Sequence, residues 1–223
     1  MNILTYSTVV ELSSGLQLAN KFDLLDMAWI TGQHYSSDRN NHKLRDAEVL
    51  ALISASTKGN ILELGTEKGY GTCQLANNLA EGTVYTVDFL EEQVDSRWER
   101  IKPNNSKNIV GEHYRELQPL RAPIVQIFAN TLTWSLPAEL DKISVAIVDA
   151  CHEYECVYSD TKLVATNIVP GGFILWHDFC PSMREEFFWI NNVMRAVDTY
   201  IQETDPYLDV HYLKDSWFGI SRP

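Results

Sequence analysis

Positive charge is scarce in this sequence: eighteen lysines and arginines stand against thirty aspartates and glutamates, a formal charge of −12 with a pI near 4.9. That balance excludes affinity built on phosphate-backbone contacts, so nucleic acid is not expected as a partner. Cysteine is sparse too. Cys73, Cys151, Cys156 and Cys180 form no CxxC pair and lack the density of a secreted disulfide scaffold, which points to reduced thiols in a cytoplasmic protein. No run approaches the roughly 20 apolar residues of a membrane span. The N-terminus MNILTYSTVVELSSG carries no basic stretch ahead of its apolar residues, so neither a membrane partner nor a targeting segment is expected. What the chain does have is 45% hydrophobic residues among 223, enough for a sizeable core.

From residue 60 onward, short apolar runs alternate with longer amphipathic ones. NILEL (60 to 64), TVYTVD (83 to 88), PIVQIFA (123 to 129), ISVAIVD (143 to 149) and GFILWHD (172 to 178) read as strands. Helices are expected at 71 to 80, 90 to 100, 112 to 118 and 153 to 168. This is the pattern of an α/β, Rossmann-like, doubly wound parallel sheet. VAIV and FILW do not alternate, so helices should cover both faces. A helix at 184 to 203 leads to YLDVHYL (207 to 213) and WFGIS (217 to 221), whose short connection demands an antiparallel hairpin. Residues 1 to 57 read as two helices, about 8 to 30 and 42 to 57, around the polar loop TGQHYSSDRNNHK. The simplest division is a helical extension or lid over 1–45 and one domain over 46–223. Within the extension His34, Tyr35, Arg39 and Asn41 are candidates for covering a bound ligand, against the alternative of a solvated loop.

The first of these strands runs into ILELGTEKGYGT, which places Gly65, Gly69 and Gly71 in the turn before the next helix, with Glu63 inside the strand. The spacing GxxxGxG is not the GxGxxG of a dinucleotide fold, and an acidic turn suits a ligand that carries a cation and no phosphate. Asp88 ends the second strand, where a carboxylate can accept both ribose hydroxyl hydrogens. Asn130 ends the third, with an amide able to meet an adenine edge.

These segments, with IVDACHEYE and VPGGFILWHDF, resemble the class I S-adenosylmethionine-dependent methyltransferases, and within them the small O-methyltransferase branch, over about residues 45 to 221. The resemblance implies a seven-stranded sheet with an antiparallel last strand. It implies that Glu63, Gly65, Thr66, Gly69 and Thr72 cradle the methionine part of S-adenosylmethionine, that Asp88 holds its ribose and Asn130 its adenine.

Asp149 and His152 follow the fourth strand, His177 and Asp178 the fifth. In an open parallel sheet these ends converge on the ligand cleft. Two carboxylates and an imidazole (Asp149, His177, Asp178) can bind one divalent cation, Mg²⁺ or another, that acidifies a substrate hydroxyl. His152 is the natural general base, because an imidazole pKa near 6.5 suits proton removal at neutral pH. Catechol-type O-methyltransferases are similar, with Asp at the Asp149 position, lysine at that of His152 and Asp-Asn at that of His177-Asp178. Asp-x-x-His resembles the sugar O-methyltransferases of natural-product pathways. The alternatives are a metal-free site in which Asp149 holds the cofactor's ammonium group, and an N- or C-methyltransferase. A nicotinamide-dependent oxidoreductase and a catalytically silent cofactor-binding subunit are further ones. The expected partner is a small hydroxylated metabolite, sugar or polyketide, and a homo-oligomer is left open. Phe187, Phe188 and Trp189 read as core before substrate platform, and His113 and His211 have no visible partner.

Overall fold

A computed structural model describes residues 1–19, 21–25, 41–90, 109–117, 119–140 and 142–223. Eight strands form one sheet: β1 (Asn2–Tyr6), β2 (Asn60–Leu64), β3 (Val84–Asp88), β4 (Ile124–Phe128), β5 (Ile143–Val148), β6 (Ile168–Trp176), β7 (Asp209–Leu213) and β8 (Gly219–Ser221). The helices are α1 (Val9–Gly15), α2 (Asn41–Ala55), α3 (Tyr70–Asn78), α4 (Glu112–Glu116), α5 (Tyr154–Ala165) and α6 (Phe188–Thr204). Strand order is β1-β7-β8-β6-β5-β2-β3-β4. All neighbours are parallel except β8, which runs antiparallel to both β6 and β7. The expected strands and the final hairpin are therefore present, in a doubly wound sheet.

Helices cover both faces, as the non-alternating strands required. One apolar layer joins Leu62, Leu64, Val148, Ile174 and Trp176 to α5 and α6 through Val157, Val164, Val193 and Val197. The other joins Ile61, Val145, Ile147 and Leu175 to α1, α2 and α3 through Leu12, Leu52, Ile53 and Leu75. Odd and even positions of one strand feed opposite layers, so β2 and β5 are buried on both sides.

The N-terminus departs from the sequence reading. NILTY is not part of a helical extension but an eighth strand, paired in register with β7 from Asn2 opposite Asp209 to Tyr6 opposite Leu213. Five residues with one alternation are too short to betray a strand before the β7 edge supplies its partner. Of the helix expected over 8 to 30, the described residues form Val9–Gly15, and residues 20 and 26–30 lie outside the described ones. Thr8 and Glu11 close a capping box at its start, and Gln17, at φ 58°, turns the chain away just beyond its end. His34, Tyr35, Arg39 and the helix expected at 90 to 100 lie outside the described residues, while Asn41 opens α2. Strand β6 starts four residues early, before Pro170, and its register against β5 shifts between Ile143 and Val145, where Gly171 takes φ +80°. Among the described residues no helix is long and apolar enough to cross a membrane.

Candidate active site

The chain winds from β2 outward to β4 and then returns to place β5 on the other side of β2. This switch in direction opens a crevice at the carboxyl ends of β2 and β5. Glu63 lies one residue from the end of β2 and is 4% exposed. Its Oε2 accepts the hydroxyls of Thr72 at 2.5 Å and Thr86 at 2.6 Å. Burial pushes its carboxyl up to about 7, against those two hydrogen bonds, with the charges of Asp149 and Asp88 adding to the rise. A β-carbon on Gly71 would stand 2.6 Å from Oε1, so the glycine leaves that oxygen free to approach.

Polar groups behind Glu63 form a chain. Tyr114 donates to Gln126 Oε1 at 2.9 Å, Gln126 Nε2 donates to Thr66 Oγ1 at 3.0 Å, and Thr66 and Thr86 share a hydroxyl contact of 2.7 Å. Thr66 and Thr72, expected in the methionine cradle, thus turn their hydroxyls into the protein to hold Glu63. Gln126 and Tyr114 were not anticipated, although a glutamine within an apolar strand was a visible signal.

Gly65, at φ +105°, brings the turn against β5: a β-carbon there would lie 2.2 Å from the Asp149 carbonyl oxygen. Gly69, at φ +85°, caps α3 in the left-handed region, and the turn is tied to α4 by Gly111 N–H on the Glu67 carbonyl (2.7 Å) and His113 N–H on that of Lys68 (2.9 Å). Asp88 ends β3 with Oδ2 accepting the Glu67 amide at 2.7 Å and Oδ1 the Phe89 amide at 2.8 Å. Asn130 Oδ1 accepts the Leu132 amide at 3.1 Å, which shapes a tight turn and leaves the amide NH₂ for recognition.

Across the crevice, donor atoms of Asp149, His152 and Asp178 all lie within 4.8 Å of one another. His152 Nε2 stands 2.8 Å from Asp178 Oδ2 and 3.7 Å from Asp149 Oδ1. Burial opposes a proton on His152, yet the hydrogen bonds and charges of Asp149 and Asp178 push its pKa up to about 10. The two carboxylates thus favour the protonated imidazole over the neutral base that an unperturbed value suggests. Asp178 holds its position in the left-handed region, at φ +55°.

His177, expected among the metal ligands, is placed differently. Its Nδ1 lies 3.1 Å from Asp149 Oδ1 but out of line for a hydrogen bond, and its Nε2 lies 3.6 Å from Asp46 Oδ2. Burial opposes its charge, but Asp149 foremost, with Asp46 and Asp178, holds it well above the ordinary histidine value. Burial likewise opposes the charge on Asp149, and His177 and His152 outweigh it, holding the carboxyl well below the usual range. Nothing in the sequence singles out Asp46, which sits on α2 with Oδ1 accepting the Trp217 amide at 2.6 Å. Two other histidines find explanations: His211 stacks on Tyr6 and shares a 2.8 Å hydrogen bond with its hydroxyl, and His113 is buried in α4. Of the aromatic trio, Phe187 and Trp189 pack on the core, whereas Phe188 is 70% exposed.

Glu63, raised by burial to about 7, carries a pH signature. An unfolded glutamate ionises near 4.3, so from there to about pH 7 the unfolded chain holds fewer protons than the folded one and stability falls as pH rises. The expected result is a thermal midpoint that declines between pH 5 and 7, with a shallower decline in Glu63→Gln. A wild-type midpoint that rises over this interval overturns the assignment.

A family model described as a methyltransferase domain matches residues 62–179. Comparison with curated protein sequences gives no match. Among solved structures the chain is similar to the O-methyltransferase NovP (15% identity, TM-score 0.58, 82% of this chain and 79% of that one). It is similar to an O-methyltransferase from Bacillus cereus in complex with SAH (14%, 0.53, 96% and 90%). It is also similar to the N-methyltransferase NodS from Bradyrhizobium japonicum WM9 (14%, 0.53, 83% and 97%). These likenesses carry the fold, and the O- and N-acting neighbours match it almost equally well. The family match spans β2 to the exit of β6 and so takes in Glu63, Asp88, Asp149, His152 and Asp178; the chain belongs to the methyltransferase-domain family and is an S-adenosylmethionine-dependent methyltransferase.

Proposed function

We propose that this enzyme transfers the methyl group of S-adenosylmethionine to a hydroxyl of a small metabolite, sugar or polyketide-like, with His152 taking the acceptor's proton. The observation that carries the reading is the cluster of Asp149, His152 and Asp178 facing the glycine turn across the β2/β5 crevice. One side offers a buried acid and strand-end carboxylate for a cationic nucleoside, the other a proton-handling group. NovP and the Bacillus cereus enzyme, both O-methyltransferases, support oxygen as the acceptor atom.

In this reading the backbone of Gly65 to Gly71 and Glu63 meet the methionine end of the cofactor, Asp88 its ribose and the Asn130 amide its adenine. Most of the acceleration comes from holding the acceptor oxygen in line with the sulfonium methyl. The two carboxylates favour its charged form, so His152 must surrender its proton before it can accept another. Two carboxylates converge beside the imidazole; Asp149 and Asp178 would hold a divalent cation, while His152 keeps its ring nitrogen for the acceptor's proton. Such a cation lowers the pKa of a bound hydroxyl. A segment of residues 1–45 covering the bound cofactor, and a cytoplasmic location, belong to the same proposal.

The test is methyl transfer from labelled S-adenosylmethionine to a panel of sugar, polyphenol and amine acceptors, with calorimetry of S-adenosylhomocysteine alongside. Transfer to hydroxyls is expected, and transfer only to amines overturns the O-methylation reading. Removing divalent ions with EDTA is expected to cut turnover about tenfold or more, with recovery on adding Mg²⁺. Full activity in EDTA removes the metal from the proposal and leaves the rest.

A further inference from the structure

Asp160 takes no part in the site as described, yet it is 0% exposed and neither carboxyl oxygen has a well-formed hydrogen bond. A buried carboxylate without partners costs several kcal/mol, so a residue left this way either binds something or stays uncharged. Its place in the fold narrows the choice. Asp160 sits in the middle of α5, one turn beyond Cys156 and on the same face. The polar group it faces from the β4 side is Thr131, the residue directly after Asn130. The thiols that feel its charge are Cys151, in the loop after β5, and Cys156 on α5 itself.

Other neighbouring elements bring no counter-charge among the described residues. From β6, the Trp176 indole N–H is already donated to Thr161 at 2.9 Å. Helix α6 offers α5 apolar contacts around Val157 and Val164 and the polar ones of Thr199 on Tyr154 and Glu203 on Tyr158, six and two residues from Asp160. Among the described residues Asp160 therefore has Thr131, Cys151 and Cys156 for polar neighbours and no counter-charge.

Resting on the cofactor assignment above, we propose that Asp160 is a positioning residue of the adenine pocket, a buried acid that props the Asn130–Trp134 turn against the Cys151 loop. The turn has its own internal bonds, from the Thr133 and Trp134 amides to the Asn130 carbonyl at 3.0 and 2.9 Å. Those bonds fix its shape but not its placement over α5, and Thr131 is the point where the two meet. Burial pushes the Asp160 carboxyl up to about 7, against the pull of Thr131. Below that pH the acid has a hydrogen to donate upward. Above it, a bare charge with no partner is left under the turn and must draw in water or displace it. The effect on the cofactor passes through Thr131 and Asn130, with no contact from Asp160 itself.

Calorimetry of S-adenosylhomocysteine with wild type, Asp160→Asn and Asp160→Ala at pH 6 and pH 8 tests this. Asparagine keeps a donor and cannot ionise. At pH 6 it should bind like wild type, and at pH 8 about threefold or more tightly than wild type. Comparing the two proteins at each pH cancels the contribution of Glu63, which both retain. Alanine, with no donor, should bind about tenfold more weakly than asparagine at both pH values. Infrared difference spectra, wild type minus Asp160→Asn, should show a protonated carboxyl stretch at pH 6 that is gone at pH 8. If alanine and asparagine bind alike and differ only in thermal midpoint, Asp160 is merely structural; absence of the protonated band overturns the proposal as well. Wild type that fails to bind S-adenosylhomocysteine at either pH defeats the cofactor reading itself, a result distinct from either.

Discussion

His152→Ala is expected to lower kcat by about 10²–10⁴-fold, the range that a positioned proton-transfer group contributes, while S-adenosylhomocysteine binding stays within about twofold of wild type. The split follows from geometry. His152 contacts Asp178 at 2.8 Å and Asp149 at 3.7 Å, on the β5 and β6 side of the crevice, whereas Glu63 and Asp88 belong to β2 and β3. Its removal takes away the proton acceptor and leaves the nucleoside cradle whole. Activity that remains reflects alignment of acceptor and methyl group alone. Two substitutions separate proton transfer from scaffolding. Glutamine can donate to Asp178 much as the imidazole does, but cannot carry the proton; it should be as poor as alanine. An unchanged kcat in alanine, or rescue by glutamine, would show that His152 only braces Asp178.

The second large effect is expected far from any proton chemistry. Gly65→Ala should destabilise the fold by about 3–5 kcal/mol, the tail of single-substitution effects, and lower the thermal midpoint by about 6–20 °C for a chain of this size. Two costs add. At φ +105° an alanine is strained whatever its surroundings. Its β-carbon would also fall 2.2 Å from the Asp149 carbonyl oxygen, 2.5 Å from the carbonyl carbon and 2.9 Å from the Ala150 amide nitrogen. These are backbone atoms, which cannot rotate out of the way, and Asp149 N–H is itself anchored on the Leu64 carbonyl at 2.8 Å. Any relief must part β2 from β5 and so open the crevice where cofactor and acceptor meet. Gly171→Ala serves as control: it shares the positive φ but has nothing within 4 Å, so it should cost about 1–3 kcal/mol of strain alone. Equal losses in the two variants would mean that the close approach to Asp149 carries no weight.

Much of the architecture was legible because it depends on local rules. Apolar runs without alternation marked β5 and β6 as doubly covered. The three-residue gap before the last run forced the hairpin, and the glycine spacing set this turn apart from that of a dinucleotide fold. Asp88, Asp149 and Asp178 could be singled out as candidates because strand ends in a parallel sheet are predictable ligand positions. What escaped depends on distant partners. Asp46 meets His177 and Trp217 only once α2 packs under the β7–β8 turn, and nothing in its own neighbourhood marks it. His177 was misplaced for the same reason, since its ring is drawn toward a carboxylate 131 positions earlier in the sequence. The ionisation state of His152 was likewise hidden. Its two carboxylates were both named, but their approach to a single nitrogen is a matter of packing. The direction of the Thr66 and Thr72 hydroxyls was hidden too: they face inward because Glu63 needs its hydrogen bonds filled, by Thr72 directly and by Thr86, which Thr66 contacts.

The pairing of β1 with β7 has a consequence for how the molecule is made. Asn2 donates to Asp209 across 207 positions, so β1 is made long before the strand it pairs with. Such long-range pairing slows folding, because loop-closure entropy is spent before the contact rewards it. During synthesis NILTY must wait as an unpaired strand while β2 to β6 assemble beside it. Until it docks, β7 presents an open edge of the kind that recruits foreign strands. The nascent chain is therefore most exposed to misassembly in the interval between the emergence of β7 and the arrival of β1, and in that interval a chaperone has most to shield.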